Sequence, residues 1–146
     1  MKTLLKGIHG PDELELVAGK VADAIRPVRP FCLWLKGPLG AGKTTLTGQL
    51  LRHLGLPKTV PVTSPTYTYM NDYQIGDEWY AHLDLYRSRG ALSSEDLGLA
   101  DARPFNGIFV EWPEESPNDP YLQPTHVLEI AFVQGGAARE YRLSEA

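Results

Sequence analysis

Apolar residues recur at helical spacing in two segments of the chain. A spacing of i, i+3, i+4 and i+7 is typical of an amphipathic helix, and the first segment keeps it at Leu14, Val17, Ala18, Val21, Ala22 and Ile25. Pro27 cannot continue a helix, so we expect this helix to end before it. The second segment runs from Lys43 to Leu54, and Gly55 then provides a common helix stop. The pattern therefore predicts two amphipathic helices.

Short apolar runs outside these segments predict strands. Residues 31–35 are wholly apolar, and residues 107–110 are apolar after an initial glycine. Such runs are typical of strands covered on both faces in a parallel sheet. Residues 67–73 and 78–86 flank a turn-like segment and predict a hairpin. Residues 125–132 and 139–143, separated by Gly135 and Gly136, predict two closing strands.

A further helix is predicted over Leu92–Leu99, with Ser93 or Ser94 as its N-terminal cap. Strands that alternate with helices indicate an α/β sheet, and we expect helices on both of its faces. A chain of 146 residues is of the usual size for one domain with one core.

Composition and charge exclude several functions. Fourteen basic and eighteen acidic residues give a net charge of -4, so no overall positive field draws the chain to DNA or RNA. Cys32 is the only cysteine, which excludes an intrachain disulfide and suits a reducing compartment; within its apolar run it is expected to be a core residue. The N-terminus lacks the apolar stretch of a signal peptide, and no run is long enough to span a membrane. We expect a soluble, cytoplasmic protein that is monomeric alone.

The most informative motif is the run from Gly37 to Thr44, which fits the phosphate-loop pattern G-x-x-x-x-G-K-[ST] between a predicted strand and a predicted helix. In such a loop the backbone N–H groups and the helix N-terminus face the phosphates, Lys43 reaches the β and γ oxygens, and the Thr44 hydroxyl binds Mg²⁺. The expected nucleotide-binding residues are Gly37, Leu39, Gly40, Ala41, Gly42, Lys43, Thr44 and Thr45. The expected fold is a P-loop NTPase-like α/β fold of three layers, with a mainly parallel central sheet, a β-hairpin insertion and C-terminal antiparallel strands.

Such a site also needs an acidic residue at the end of a neighbouring buried strand. Glu111 ends one predicted strand and is the first candidate, although it could instead cap an edge strand. Asp84 is the second candidate, because His82 and Asp84 share one face of another predicted strand. Either Asp84 or Glu111 is expected to position the attacking water. The alternative is that His82 and Asp84 form a solvent-facing pair. The four histidines show no metal-ligand spacing.

Four motifs together resemble the TsaE (YjeE) family of bacterial ATPases, which act in making the threonylcarbamoyl-adenosine modification of tRNA. Residues 37–45 resemble the family's G-x-L-G-A-G-K-T-T, and residues 64–68 its S-P-T-[FY]-T. Residues 82–87 resemble H-x-D-L-Y-R, and residues 111–114 the stretch that contains E-W-P. The motifs follow one another in the family's order.

The resemblance implies a single ATPase domain over residues 1–146, with weak, Mg²⁺-dependent hydrolysis of ATP. It implies that Thr44 and Glu111 hold Mg²⁺, that Lys43 holds the phosphates and that Asp84 helps catalysis. It also places Thr66 near the γ-phosphate as a switch residue, whereas the residues around it alone indicate only a turn. The implied partners are the proteins TsaB and TsaD, with tRNA reached only through their complex and with no DNA or membrane contact.

The resemblance further implies that the adenine lies between an N-terminal segment and the C-terminal strands, near Asp12 or Glu13 and near Arg139. Two other functions stay open. A small-molecule kinase could use the same phosphate loop, but no insertion is long enough for a clear arginine-bearing lid. A nucleotide-dependent switch, in which hydrolysis is incidental, would need the same residues as the ATPase.

Overall fold

The structure is a computed structural model that describes residues 1–65, 67–99 and 103–146. The predicted site residue Thr66 lies outside the described residues. Within these ranges the strands are β1 (Lys2–His9), β2 (Phe31–Lys36), β3 (Met70–Ile75), β4 (Glu78–Asp84), β5 (Gly107–Glu111), β6 (His126–Val133) and β7 (Ala138–Glu145), and the α-helices are α1 (Leu14–Ile25) and α2 (Lys43–His53).

The described strands form one mixed sheet of seven strands in the order β1-β7-β6-β2-β5-β4-β3. The centre is parallel, because β2 pairs in parallel with β5 and β6, and β4 pairs in parallel with β5. The outer pairs are antiparallel: β3 pairs with β4, β6 with β7, and β7 with β1. The predicted α/β class, parallel centre, hairpin and antiparallel C-terminal strands are confirmed. The carboxyl ends of β2, β4 and β5 meet at one edge, where both Leu35 and Asp84 lie beside Glu111.

The edge strand β1 was not expected from the sequence. It pairs with β7 along its whole length, from Lys2 beside Glu145 to His9 beside Arg139. A register shift between Thr3 and Leu5 interrupts the pairing. Such an irregularity breaks the alternation of inward and outward side chains, and with it the pattern by which a half-buried strand is recognised.

Both α-helices pack on the same face of the sheet. Their apolar stripes join one core cluster with side chains from β2, β5, β6 and β7, and this cluster includes Ile25, Leu46, Leu50, Phe109 and Leu143. The apolar side of α2 is covered by the core, since its residues Leu46 and Leu50 are both fully buried. Neither helix is long and apolar enough to cross a membrane, and the same holds for every helix in the part of the chain described.

The opposite face is covered by loops and short 3-10 turns rather than by the helix expected there. A second core cluster lies under this layer and contains Cys32, Leu83, Leu99, Val110 and Leu122, among others. Cys32 is buried, as expected, and burial raises the pKa of its thiol to about 12. The layers are therefore three, with the third made of irregular segments.

The prediction of a helix over residues 92–99 is wrong, because residues 94–99 form turns. The N–H and the hydroxyl of Ser94 both donate to the carboxylate of Asp119, at 2.6 Å each, so Ser94 serves another segment instead of starting a helix. Gly98 then adopts φ +71°, which is incompatible with a right-handed helix. The Ser94–Asp119 contact joins the two loops that cover this face of the sheet.

Asp119→Ala is expected to lower the free energy of unfolding by about 2 kcal/mol, because it leaves the buried donors of Ser94 without an acceptor. Burial alone would raise the pKa of Asp119, but hydrogen bonds from Ser94 and from the Tyr121 N–H outweigh it and lower the pKa. A lowered pKa stabilises the fold above the ordinary value near 3.8 and loses this effect as the pH falls further. The difference between wild type and variant, measured by urea unfolding, should therefore shrink below about pH 4.

Asp96→Ala is the matched control, since Asp96 accepts similar bonds from Ser93 but is exposed. It should change the stability by no more than about 0.5 kcal/mol. Equal effects of the two variants would contradict the structural role of Asp119.

Candidate functional site

The phosphate loop connects β2 to α2 at the edge where the parallel strands end. Gly40 and Gly42 adopt φ +82° and +96°, which side-chain-bearing residues rarely tolerate, and Gly42 is the N-terminal cap of α2. At Gly37 a Cβ atom would lie 2.8 Å from the carbonyl oxygen of Ile130, so only glycine fits beside β6. The three glycines thus shape a loop whose N–H groups and helix start face the same space.

Lys43 is held inside this loop although it carries a charge. Its Nζ donates to the carbonyl oxygen of Gly37 at 2.5 Å and lies 3.7 Å from the centre of the Trp112 ring. Burial lowers the pKa of the Lys43 ammonium, although the negative charges of Glu111, Glu114 and Asp84 oppose this effect. A partly desolvated ammonium of this kind gains strongly from an anion placed near it.

Glu111 and Thr44 are brought together as a pair of oxygen donors. The Thr44 hydroxyl lies 2.8 Å from Oε2 and 3.1 Å from Oε1 of Glu111, which ends β5. Hydroxyl and carboxylate oxygens are hard ligands suited to Mg²⁺, which commonly takes one or two protein ligands and completes its shell with phosphates and water. These residues therefore fit a Mg²⁺-nucleotide. In the described ranges no group of three His, Cys, Asp or Glu side chains could hold a metal ion by itself.

Asp84 ends β4 directly beside Glu111 in the parallel register. Its Oδ1 accepts a hydrogen bond from the N–H of Tyr86 at 3.1 Å. Burial raises the pKa of Asp84, and the charge of Glu111 adds to this, whereas the Tyr86 hydrogen bond and the charges of His82 and Lys43 oppose it. The site thus contains two adjacent carboxyl groups, one of which takes up a proton more readily than an ordinary aspartate.

His82 does not face solvent, and the suggested exposed pair with Asp84 is wrong. The side chain is fully buried, and its Nε2 lies 2.5 Å from Oε2 of Glu111. The alternation of β4 placed His82 and Asp84 on one face, but the carboxylate that His82 meets belongs to the neighbouring strand. Only the pairing of β4 with β5 reveals this contact.

Lys43, Thr44, Asp84 and Glu111 border a cleft of about 440 Å³. It is lined by Leu39, Gly40, Gly42, Lys43, Thr44, Thr45, Ser64, Asp84, Tyr86, Arg87, Glu111 and Trp112. Most of the residues predicted for phosphates, metal and catalysis therefore share one space. Trp112 has φ +57°, an unusual conformation for a large residue, and its ring lies 4.7 Å from that of Tyr86. Arg87 is exposed and lies 5.0 Å from the Tyr67 ring centre.

The residues predicted near the adenine lie at the other side of the loop. The Nε of Arg139 donates to the carbonyl oxygen of Ala41 at 3.2 Å, which ties β7 to the phosphate loop. Glu13 accepts a hydrogen bond from the N–H of Gly10 at 3.3 Å and lies 3.4 Å from Nδ1 of His9. Since His9 is paired with Arg139 in the sheet, the structure brings the N-terminal turn and β7 to the same edge.

The fold and the glycine loop define a P-loop protein of the α/β class. The family described as "Threonylcarbamoyl adenosine biosynthesis protein TsaE" matches residues 8–141. The chain belongs to the TsaE family, which confirms the resemblance carried by the four motifs.

Two relatives named TsaE and one solved structure are similar to this chain. The chain is 35% identical to the "tRNA threonylcarbamoyladenosine biosynthesis protein TsaE" of Aquifex aeolicus over 92% of its own length and 93% of that protein. It is 37% identical to the protein of that name from Bacillus subtilis, over 77% of this chain and 68% of the relative. The crystal structure of Bacillus subtilis YdiB is similar with a TM-score of 0.65 and 26% identity, over 99% of this chain and 88% of that one.

Proposed function

We propose that this chain binds ATP with Mg²⁺ and hydrolyses it slowly, in support of threonylcarbamoyl formation on adenosine 37 of tRNAs that read codons beginning with A. The observation that carries the proposal is the contact of Thr44 with Glu111, at 2.8 Å, beside the buried ammonium of Lys43. It joins the start of the P-loop helix to the acidic end of the neighbouring strand, which is the combination that a Mg²⁺-nucleotide requires. Residues 1–146 would act as one ATPase domain.

The loop residues have separate tasks in this proposal. Backbone N–H groups of the loop bind phosphate oxygens, and Lys43 leaves the carbonyl oxygen of Gly37 to bind the β and γ oxygens. Thr44 and Glu111 hold the metal, which would neutralise charge on the transferred phosphoryl group when bound. Arg139 and Glu13 would lie near the adenine, where Arg139 already supports the loop at Ala41.

Asp84 is proposed to orient the attacking water. It lies beside Glu111 in the cleft, and its raised pKa brings it closer to the range in which a carboxylate accepts a proton efficiently. Thr66 is proposed to contact the γ-phosphate, as the family resemblance implies. Slow hydrolysis by the isolated chain is consistent with an open cleft, since water exclusion strengthens electrostatic stabilisation of the transition state.

The protein partners proposed are TsaB and TsaD. Family membership supports this assignment, and a net charge of -4 supports the further proposal that tRNA is contacted through the partner complex rather than by this chain alone. We place the protein in the cytoplasm.

Lys43→Ala is expected to lower the affinity for ATP by at least about 100-fold, because it removes a buried, charge-assisted contact to the phosphates. Equilibrium binding of a fluorescent ATP analogue measures this. Lys58→Ala, at an exposed position after α2, should bind as the wild type does. Unchanged affinity in Lys43→Ala would exclude the loop as the phosphate site.

Asp84→Asn is expected to keep ATP affinity within about threefold while lowering the hydrolysis rate by about 100-fold, since a water-orienting base typically contributes that much. Phosphate release by the complex with TsaB and TsaD is the measurement. Asp72→Asn is the control, because Asp72 is an exposed strand residue paired with Arg103. Full hydrolysis in Asp84→Asn would remove Asp84 from the mechanism.

Deletion of the gene should abolish threonylcarbamoyl-adenosine in bulk tRNA, as measured by mass spectrometry of digested nucleosides. The wild-type chain should restore the modification and Lys43→Ala should not. Unchanged modification in the deletion strain would favour a kinase or another switch over the proposed function.

A further inference from the structure

A fully buried histidine lies directly beneath the proposed metal site. His82 is on β4, on the sheet face that carries the helices, because Tyr80 two residues earlier packs in the helix-side core. It does not border the cleft that Lys43, Thr44 and Glu111 line. Its Nε2 nevertheless lies 2.5 Å from Oε2 of Glu111. Among the described residues that line the cleft, Glu111 is therefore the one to which His82 is joined by a hydrogen bond.

The direction of this hydrogen bond follows from the chemistry of its two ends. A carboxylate oxygen only accepts hydrogen bonds, so Nε2 of His82 carries the proton and donates it to Glu111. The other ring nitrogen, Nδ1, is buried and has no hydrogen-bond partner among the described residues. The contact with Glu111 is thus the polar interaction that compensates for burying the imidazole at this position.

The contact restricts the side chain on which metal binding depends. Oε2 of Glu111 accepts the hydrogen bond from His82 and lies 2.8 Å from the Thr44 hydroxyl. Oε1 lies 3.1 Å from the same hydroxyl. A glutamate side chain has several rotatable bonds, and its conformational freedom must be lost before the carboxylate can bind a metal. A fixed donor on one oxygen removes that freedom in advance, which is how residues behind metal ligands usually act.

We propose that His82 is a positioning residue that holds the Glu111 carboxylate against Thr44 and so prepares the site for a divalent cation. This inference rests on the proposed function, because it assumes that Thr44 and Glu111 bind the metal of a Mg²⁺-nucleotide. The competing explanation is that His82 only fills the core between β4 and the helices. Under that explanation an apolar side chain of similar size serves equally well.

His126 provides a matched control within the same chain. It is also a buried strand histidine, at 2% exposure, and its Nδ1 lies 2.8 Å from the hydroxyl of Thr125 rather than near a carboxylate of the cleft. His126→Leu therefore reproduces the loss of a buried imidazole and of a hydrogen bond, but leaves Glu111 untouched.

The test is the binding of Mn²⁺ to the complex of the 146-residue chain with ADP, followed by electron paramagnetic resonance, since Mn²⁺ takes the same oxygen ligands as Mg²⁺. His82→Leu should weaken Mn²⁺ binding by about 10- to 100-fold. Its affinity for ADP in the presence of EDTA should stay that of the wild type. His82→Gln, whose amide N–H can still donate to Glu111, should recover most of the loss, and His126→Leu should bind Mn²⁺ as the wild type does.

Wild-type Mn²⁺ affinity in His82→Leu would overturn the inference, as would equal losses in His82→Leu and His126→Leu. If His82→Leu does not fold, nuclear magnetic resonance of the wild-type chain tests the inference instead, by showing which ring nitrogen of His82 carries the proton. A proton on Nε2 of His82 supports the inference, and a proton on Nδ1 alone overturns it. Failure of the wild-type chain to bind Mn²⁺ with ADP would instead refute the proposed function itself.

Discussion

The contact between the Thr44 hydroxyl and the Glu111 carboxylate depends on how two strands and one helix are arranged. It requires β2 and β5 to be parallel neighbours, so that the loop after one strand and the last residue of the other meet at the same edge. It also requires α2 to begin immediately after Gly42, whose left-handed conformation turns the chain into the helix. Thr44 can lie 2.8 Å from Glu111 only when both conditions hold. The fold can therefore be regarded as a means of bringing a hydroxyl and a carboxylate from distant parts of the chain together.

Burial of charge at this edge works against stability. Burial lowers the pKa of Lys43 and raises that of Asp84, so in both cases the folded environment disfavours the ionised form. For Asp84 the destabilising effect is absent at pH values below the ordinary pKa and complete above the pKa in the folded chain. For Lys43 it is complete below the pKa in the folded chain and absent above the ordinary pKa. Between the two folded pKa values both groups destabilise the chain. A bound polyanion with its cation would supply the missing opposite charges, so ligand binding is expected to relieve this cost.

Local patterns in the sequence predicted the elements whose faces are uniform. The bounds of α1 follow directly from its apolar stripe, and β5 is recognisable because its residues are apolar until Glu111. The same approach missed β1, where the irregular pairing near Leu5 breaks the alternation. It predicted a helix at Ser94, whose donors are used by Asp119, 25 residues further along the chain. Distant partners such as Asp119 leave no trace in a local pattern.

The candidate site also contains residues that local patterns identify and one whose contact depends on strand pairing. Lys43, Thr44, Asp84 and Glu111 were identifiable because each belongs to a motif or to a strand end, and the cleft brings them together. His82 was noticed as the first residue of a motif and as sharing one strand face with Asp84. Its actual partner could not be derived, because the contact joins residues 29 positions apart on two strands. Residues that act through another side chain are thus the hardest to find in a sequence.

The two sides of the phosphate loop differ in how firmly they are held. On the side of β6 and β7, Gly37 lies so close to Ile130 that no side chain fits, and Arg139 is bonded to the backbone of Ala41. On the opposite side, Tyr86 and Arg87 line the cleft, and Arg87 lies 5.0 Å from the centre of the exposed Tyr67 ring. Close packing and a backbone hydrogen bond thus hold Gly37 and Ala41 on the side of β6 and β7, whereas exposed Tyr86 and Arg87 lie on the side of Asp84. A surface that approached the cleft from the side of Tyr86 and Arg87 would therefore leave the contacts of Gly37 and Ala41 in place.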